Sequence, residues 1–350
     1  MTTPTTTRAA VLVETGQPLQ IMDLILPELK PGQVLVEMDY AGVCHTQLHE
    51  VRGRKGPDRF LPHALGHEGA GTVLAVGEGV TKVMVGDKVV LTWIKGEGAE
   101  VLGTTYESNI GKVNSGAIST FMSHTITCEN RVVPMTKNEL PMREAALLGC
   151  AVPTGAGVII NTADVQPGTS IAVFGVGGIG MSAVLAASMR EAATIIAVDI
   201  VDEKLEAAKR AGATHTINAK REDVEAIVMD LTDGKGVDHS VEAAGLPQTM
   251  ESAFRSVRTG GGLCILAGNV PFGETIRIDP FDLIKGRNIV GTWGGETIPD
   301  RDLPRYAELF LAGKLPFDQL VSHEWSLDEI NTAFNELEAG RVSRALIRFK

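Results

Sequence analysis

The sequence predicts an α/β protein of two domains, a β-rich barrel-like domain and a doubly wound parallel sheet. Three observations carry this. The first part of the chain, to about Val152, holds short Val- and Leu-rich runs, each closed by Gly, Pro or Asp, and such spacing suggests a small barrel. From about Pro153, strand and helix signals alternate, the order that builds a parallel sheet covered by helices. At 350 residues the chain is also too long for one ordinary core.

The elements follow in order. Val34-Leu35-Val36-Glu37-Met38, then 71–77 and 88–91, read as strands, and Thr125-Ile126-Thr127-Cys128 as a further one. Ile171-Ala172-Val173-Phe174 is a buried strand running into a glycine-rich turn, with a helix over 181–190 behind it. Thr194-Ile195-Ile196-Ala197-Val198-Asp199 is the next strand. A helix over 202–212 stops at Gly212, and 216–218 is a short strand. Helices over 223–232 and 249–257 alternate with strands over 237–242 and 262–267. Helices over 303–312 and 327–339 and a last strand over 345–349 complete the chain.

The turn Gly175-Val176-Gly177-Gly178-Ile179-Gly180 is the most specific local signal. G-x-G-x-x-G alone is weak and describes many surface turns. Between strand and helix, with Asp199 about 20 residues further on, it is the dinucleotide fingerprint. Gly175 permits the tight turn, Gly177 the approach of a pyrophosphate, and Gly180 the packing of helix on strand. The pyrophosphate would sit at the positive helix end, near Gly178 and Ile179. Asp199 suits the two ribose hydroxyls and repels a 2′-phosphate. Neither Ile200 nor Val201 supplies an Arg for one, so the expected cofactor is NAD.

Composition removes several function classes. The formal charge of −11 argues against a nucleic-acid surface. No apolar run approaches a membrane span. The Thr-rich segment 1–10 lacks the basic-then-apolar pattern of a signal peptide. Four scattered cysteines imply no disulfide framework and point to a reducing cytoplasm, where they act as metal ligands, nucleophiles or core residues.

Cys44, His67 and Cys150 suit zinc, and three protein ligands leave one position open for water or substrate. Their separation makes this a poor motif on spacing alone. Taken singly, Cys150 reads as a buried apolar residue and His67 as a hydrogen-bonded turn histidine.

The surrounding residues alter that balance. Gly66-His67-Glu68-Gly69-Ala70-Gly71, Gly86-Asp87-Lys88-Val89-Val90, Gly149-Cys150, the glycine fingerprint and the ending Arg344-Ala345-Leu346-Ile347-Arg348-Phe349 resemble the medium-chain, zinc-dependent alcohol dehydrogenases over nearly the whole length. The resemblance implies a GroES-like β-barrel catalytic domain, 1–152 with 294–350, and a Rossmann domain, 153–293. It implies one catalytic zinc on Cys44, His67 and Cys150, with Glu68 behind the metal. It implies a proton route from Thr46 to His49, whose imidazole titrates near neutral pH. The alternative for His49 is an ordinary surface histidine. His45 and Arg344 correspond to residues set against the pyrophosphate. Lys204 corresponds to one near the adenosine ribose, though a solvated helix lysine fits it equally. Gly268 and Trp293 correspond to loops holding the nicotinamide amide, and Trp93 and Phe121 to the substrate pocket.

Two positions depart from the family pattern. Gln47 stands where the family has an Asp that orients the zinc histidine, so an uncharged amide must take that role. The lobe after the 88–91 strand, onward to Asn114, carries no cysteine, so no second, structural zinc is expected and packing or a subunit contact must hold it.

The expected activity is reversible hydride transfer between NAD and a primary or secondary alcohol, with aldehyde or ketone as product. A polyol, sugar or specialised biosynthetic alcohol dehydrogenase is the alternative. Sugar dehydrogenases of the superfamily often carry Glu in place of the second cysteine, and Cys150 favours the alcohol branch. A catalytically silent NAD-binding protein is a lesser alternative, against which Cys44, Thr46 and His67 all stand. The resemblance also implies a homodimer or homotetramer.

Overall fold

The computed structural model describes residues 4–135 and 140–350. The first three residues of the Thr-rich start, and 136–139 within the expected first domain, lie outside the described residues. The chain divides into two compact units: 1–150 with 298–313 and 321–350, and 151–297 with 314–320. The expected first domain, 1–152 with 294–350, differs from this at three places. Residues 151–152 and 294–297 belong to the second unit, where the Thr297 hydroxyl donates to the Pro153 carbonyl at 2.9 Å. So does 314–320, because buried Phe317 and Leu320 pack that turn against the helix Gly178–Met189.

The first unit is β-rich. Strands Thr6–Leu12, Gln20–Ile25, Thr105–Ser108, Gly111–Asn114 and His63–Ala64 close into a barrel. A second sheet is centred on Gln33–Val43, which pairs with Glu68–Val76, His124–Cys128 and Ala345–Arg348. That strand is buried along most of its length because sheet neighbours and helices cover both its faces. Its core includes Leu12, Met38, Leu91, Phe121 and Phe334. Phe121 meets Phe334 edge-on at 6.0 Å between centroids, an arrangement that adds about 1 kcal/mol to simple burial.

The lobe without cysteines is held by carboxylates. Glu129, only 3% exposed, accepts the N–H groups of Thr81 (2.7 Å), Lys82 (2.8 Å) and Ala99 (2.8 Å). Burial opposes its charge, but these three donors outweigh burial and hold Glu129 below the ordinary carboxylate range. Asp300 accepts the Glu97 N–H at 2.6 Å and pairs with Lys82. Further along, Thr105–Ser108 and Gly111–Asn114 form a hairpin. Tyr106 is fully buried there, its hydroxyl accepting the Ile126 N–H at 3.2 Å, and burial pushes its pKa up to about 12.

The second unit carries six parallel strands: Ser170–Phe174, Thr194–Asp199, His215–Asn218, His239–Glu242, Leu263–Leu266 and Asn288–Gly291. Counted along the chain, their order across the sheet is 3-2-1-4-5-6, that of a Rossmann fold. Ile171 to Phe174 and Ile195 to Val198 are buried without alternation, as strands covered on both faces must be. The helix Asp202–Arg210 opens on Asp202 and Glu203 and closes on Lys209 and Arg210, charges that complement its dipole. Asp223 caps the next helix, Val224–Leu231, by accepting the Ala226 N–H at 3.1 Å.

Candidate functional site

Four side chains from distant parts of the first unit converge. Cys44 is the extended residue between the strand Gln33–Val43 and the helix His45–Val51. His67 immediately precedes the strand Glu68–Val76, and Cys150 follows the helix Met142–Leu147. The Thr92 hydroxyl donates to the Gly149 carbonyl at 2.8 Å, and Thr92 is the ladder partner of Glu68, so one residue ties Cys150 to that strand. The ligand atoms of Cys44, His67, Glu68 and Cys150 all lie within 4.8 Å of one another.

The donor set fits a divalent ion of zinc's character. Cys44 and Cys150 are buried, and His67 Nε2 is buried without a hydrogen-bond partner. An imidazole nitrogen left so is costly unless something coordinates it. Two thiols and an imidazole are the soft and borderline donors that zinc takes. The Cys150 thiol beside Cys44 holds the Cys44 pKa well below its ordinary value, and the same contact pushes Cys150 up, as in a pair sharing one proton. At His67, burial disfavours the charged ring, but the neighbouring Cys44 outweighs it and raises the pKa.

Glu68 is fully buried behind this trio, with Oε1 3.8 Å from His67 Nε2. Burial raises its pKa, against the pull of Arg344, with which it pairs directly. Gly42 makes room for it, since a Cβ there would stand 2.5 Å from Glu68 Cδ.

In the second unit the fingerprint turn is built from backbone. Gly175 has φ +83°, and a Cβ on Gly180 would lie 1.9 Å from the Gly175 carbonyl oxygen. A Cβ on Gly177, by contrast, would meet nothing within 4 Å, which leaves the approach to the turn open. The helix starts at Gly178, three residues before the expected 181, so Gly178, Ile179 and Gly180 form its first turn and their N–H groups lack helical acceptors. Asp199 Oδ2 accepts the Val176 N–H (2.9 Å), and Oδ1 accepts those of Ile200 (2.8 Å) and Val201 (3.1 Å). A half-buried carboxylate beside an open glycine turn and a helix N-terminus fits a dinucleotide.

Comparison with known proteins points to one family. Residues 30–137 match the alcohol dehydrogenase GroES-like domain and residues 178–312 the zinc-binding dehydrogenase family. An S-(hydroxymethyl)glutathione dehydrogenase from Synechocystis sp. is 36% identical, over 98% of this chain and 99% of its own. The chain belongs to the medium-chain zinc alcohol dehydrogenases. Benzyl alcohol dehydrogenase from Acinetobacter calcoaceticus superposes with a TM-score of 0.90 at 33% identity, covering 99% of each chain. An alcohol dehydrogenase zinc-binding domain protein from Burkholderia ambifaria does so with the same values.

Within this dehydrogenase, several anticipated residues stand differently. Gln47 does not meet the imidazole through its amide oxygen. Its Oε1 accepts the Cys44 N–H at 3.0 Å, because a side chain at the third helical position reaches back to the capping residue. Its Nε2 is buried without a partner. Arg344, expected at a pyrophosphate, is 4% exposed; it is drawn inward by Glu68, and its Nη1 donates to the Val43 carbonyl at 3.3 Å. Phe121, expected in the pocket, is wholly in the core against Phe334.

Other residues lie as follows. Thr46 and His49 sit on the helix His45–Val51, both partly buried, and His45 is exposed. Burial, with Arg54 and Lys55, lowers the His49 pKa, so its ring is neutral at pH 7 and able to accept a proton. Trp93 follows the strand Lys88–Thr92, half-buried, its carbonyl accepting from Arg131. Lys204 is half-buried, Gly268 partly buried, and Trp293 74% exposed.

One grouping escaped the sequence reading. His63 Nε2 lies 2.8 Å from Asp58 and 3.9 Å from Glu50, beside a cavity of about 350 Å³ that Gln47 and His67 also line. Mixed acids and a histidine near a loop carry no motif, so only the fold brings them together.

Proposed function

We propose that this chain is an NAD-dependent zinc alcohol dehydrogenase, moving hydride reversibly between a primary or secondary alcohol and NAD. The observation that carries the proposal is the buried trio Cys44, His67 and Cys150 with its unpartnered imidazole nitrogen. These three would hold one zinc per chain. When bound, zinc supplies a Lewis acid that lowers the pKa of an alcohol hydroxyl, and the nicotinamide supplies the hydride acceptor.

The chain's own residues do the rest. Glu68 places a buried carboxylate behind the trio and offsets the positive charge of Arg344, with which it pairs. The Thr46 hydroxyl takes the alcohol proton as a hydrogen bond, and neutral His49 on the same helix accepts it toward solvent. Asp199, already fixed by three backbone N–H groups, has lone pairs left for ribose hydroxyls and repels a 2′-phosphate. The substrate class is supported by relatives named for S-(hydroxymethyl)glutathione and benzyl alcohol.

Copies of the chain are proposed to pair as a homodimer or homotetramer. Exposed Phe281, Ile284, Val290 and Trp293 on and near the edge strand Asn288–Gly291 support this. All four cysteines are free, which supports a reducing cytoplasm. No described helix is long and apolar enough to cross a membrane.

A screen of NAD reduction over simple, aromatic and polyhydroxy alcohols, with metal analysis, tests the proposal. One zinc per chain and turnover with NAD on a simple or aromatic alcohol are expected. Two zincs, or faster turnover with NADP, would overturn the corresponding part, and turnover confined to polyols would replace the substrate class.

A further inference from the structure

Three strands of the parallel sheet end in register: Phe174 pairs with Glu242, and Glu242 with Leu266. They are the first, fourth and fifth strands, and the sheet order reverses between the first and the fourth. In such sheets ligands bind at the carboxyl ends beside that reversal. A fully buried carboxyl group stands there.

Glu242 Oε1 accepts the N–H groups of Ala244 (3.1 Å) and Gly245 (2.8 Å) and the hydroxyl of Thr249 (2.6 Å). Its backbone carbonyl accepts the N–H groups of Ala267 (2.8 Å) and Gly268 (2.9 Å). The residue thus fixes the loops after both the fourth and the fifth strands. A third loop leans on the same assembly, since a Cβ on Gly175 of the fingerprint would lie 2.8 Å from Ala244. The other oxygen, Oε2, is buried without a partner, and a Cβ on Gly268 would come within 2.6 Å of it. Burial pushes the Glu242 carboxyl up, while the loop donors pull it down. A buried ionisable group with one oxygen unpaired is costly for a mere turn, which Asn or Ser would make at lower cost.

We propose that Glu242 is a positioning residue for the nicotinamide half of the dinucleotide, setting the backbone of 243–249 and 267–268 against the fingerprint turn. The proposal rests on the NAD reading above. Its experiment is NADH fluorescence titration of the full-length protein, with zinc content and thermal melting measured alongside.

Wild-type protein is expected to bind NADH; failure to do so overturns the NAD reading and this proposal with it. Given wild-type binding, Glu242→Ala is expected to raise the NADH Kd at least about tenfold with zinc content unchanged. Glu242→Gln, which keeps an acceptor oxygen for the same three donors, is expected to stay within about threefold. Should the alanine variant fail to fold, Thr249→Val removes one donor only, and about a two- to fivefold rise is expected. Kd values within twofold of wild type for the alanine and valine variants overturn the proposal while leaving the NAD reading intact. So does a glutamine variant as weak as the alanine one, since the carboxyl would then act through its charge.

Discussion

The thiol–imidazole cluster and the glycine turn are built on opposite principles. The cluster draws on residues 44, 67, 68, 150 and 344, delivered by different strands and loops, and its character lies in side chains and buried charge. The turn occupies one continuous segment, and its character lies in backbone shape and in the absence of side chains. The first should therefore respond to changes of donor chemistry, the second to added volume.

The largest test replaces a donor. Cys44→Ser is expected to lower zinc content and reduce turnover by about a thousandfold or more, since several kcal/mol of charge stabilisation depend on the ion. NADH affinity should stay within about twofold. Parallel loss of NADH binding would show that the two regions are not independent. Gly180→Ala is the converse experiment. A Cβ 1.9 Å from the Gly175 oxygen forces the turn apart, so NADH affinity should fall about thirtyfold or more while zinc stays bound. Retained affinity would mean the turn yields at little cost.

Glu68→Gln sharpens the electrostatic side. It leaves Arg344 buried without its counter-charge, and urea unfolding should show a loss of about 3–5 kcal/mol. A loss below about 1 kcal/mol would mean that water reaches the pair. The smallest effect concerns pH. In the second unit, burial opposes the charge of Asp238, but the Ser170 N–H and hydroxyl and the Arg258 guanidinium hold its pKa down to about 2. The folded pKa lies below the ordinary 3.8, so the stability it contributes is full above that value and is lost as pH falls toward 2. Asp238→Asn should flatten acid unfolding in that window, and an unchanged profile would remove Asp238 from it.

The same contrast explains what could be read from the chain. The strands Ser170–Phe174 and Thr194–Asp199 are buried on both faces, so unbroken apolar runs announced them, and the local glycine motif marked the turn between strand and helix. The trio Cys44, His67 and Cys150 was legible as a group only through resemblance, because the pairing of Gln33–Val43 with Glu68–Val76 in the second sheet joins residues that spacing keeps apart. The hairpin Thr105–Ser108 and Gly111–Asn114 buries little besides Tyr106 and Val113, too few residues to set a strand period. Helix starts moved for local reasons: Pro299 opens a helix expected at 303, and a short 3-10 turn, Leu327–Glu329, precedes the helix Ile330–Glu338. Phe121 and Arg344 went to the core and to Glu68 because packing and buried charge compete for such side chains, and a sequence does not display that competition.

Glu129, with its three backbone donors, gives the lobe a further property. Between positions 91 and 120 there is no thiol to oxidise and no cysteine-bound ion to lose. What fastens this lobe is a carboxylate and the backbone donors around it, so its anchoring answers to proton concentration and to the residue at position 129 rather than to thiol chemistry.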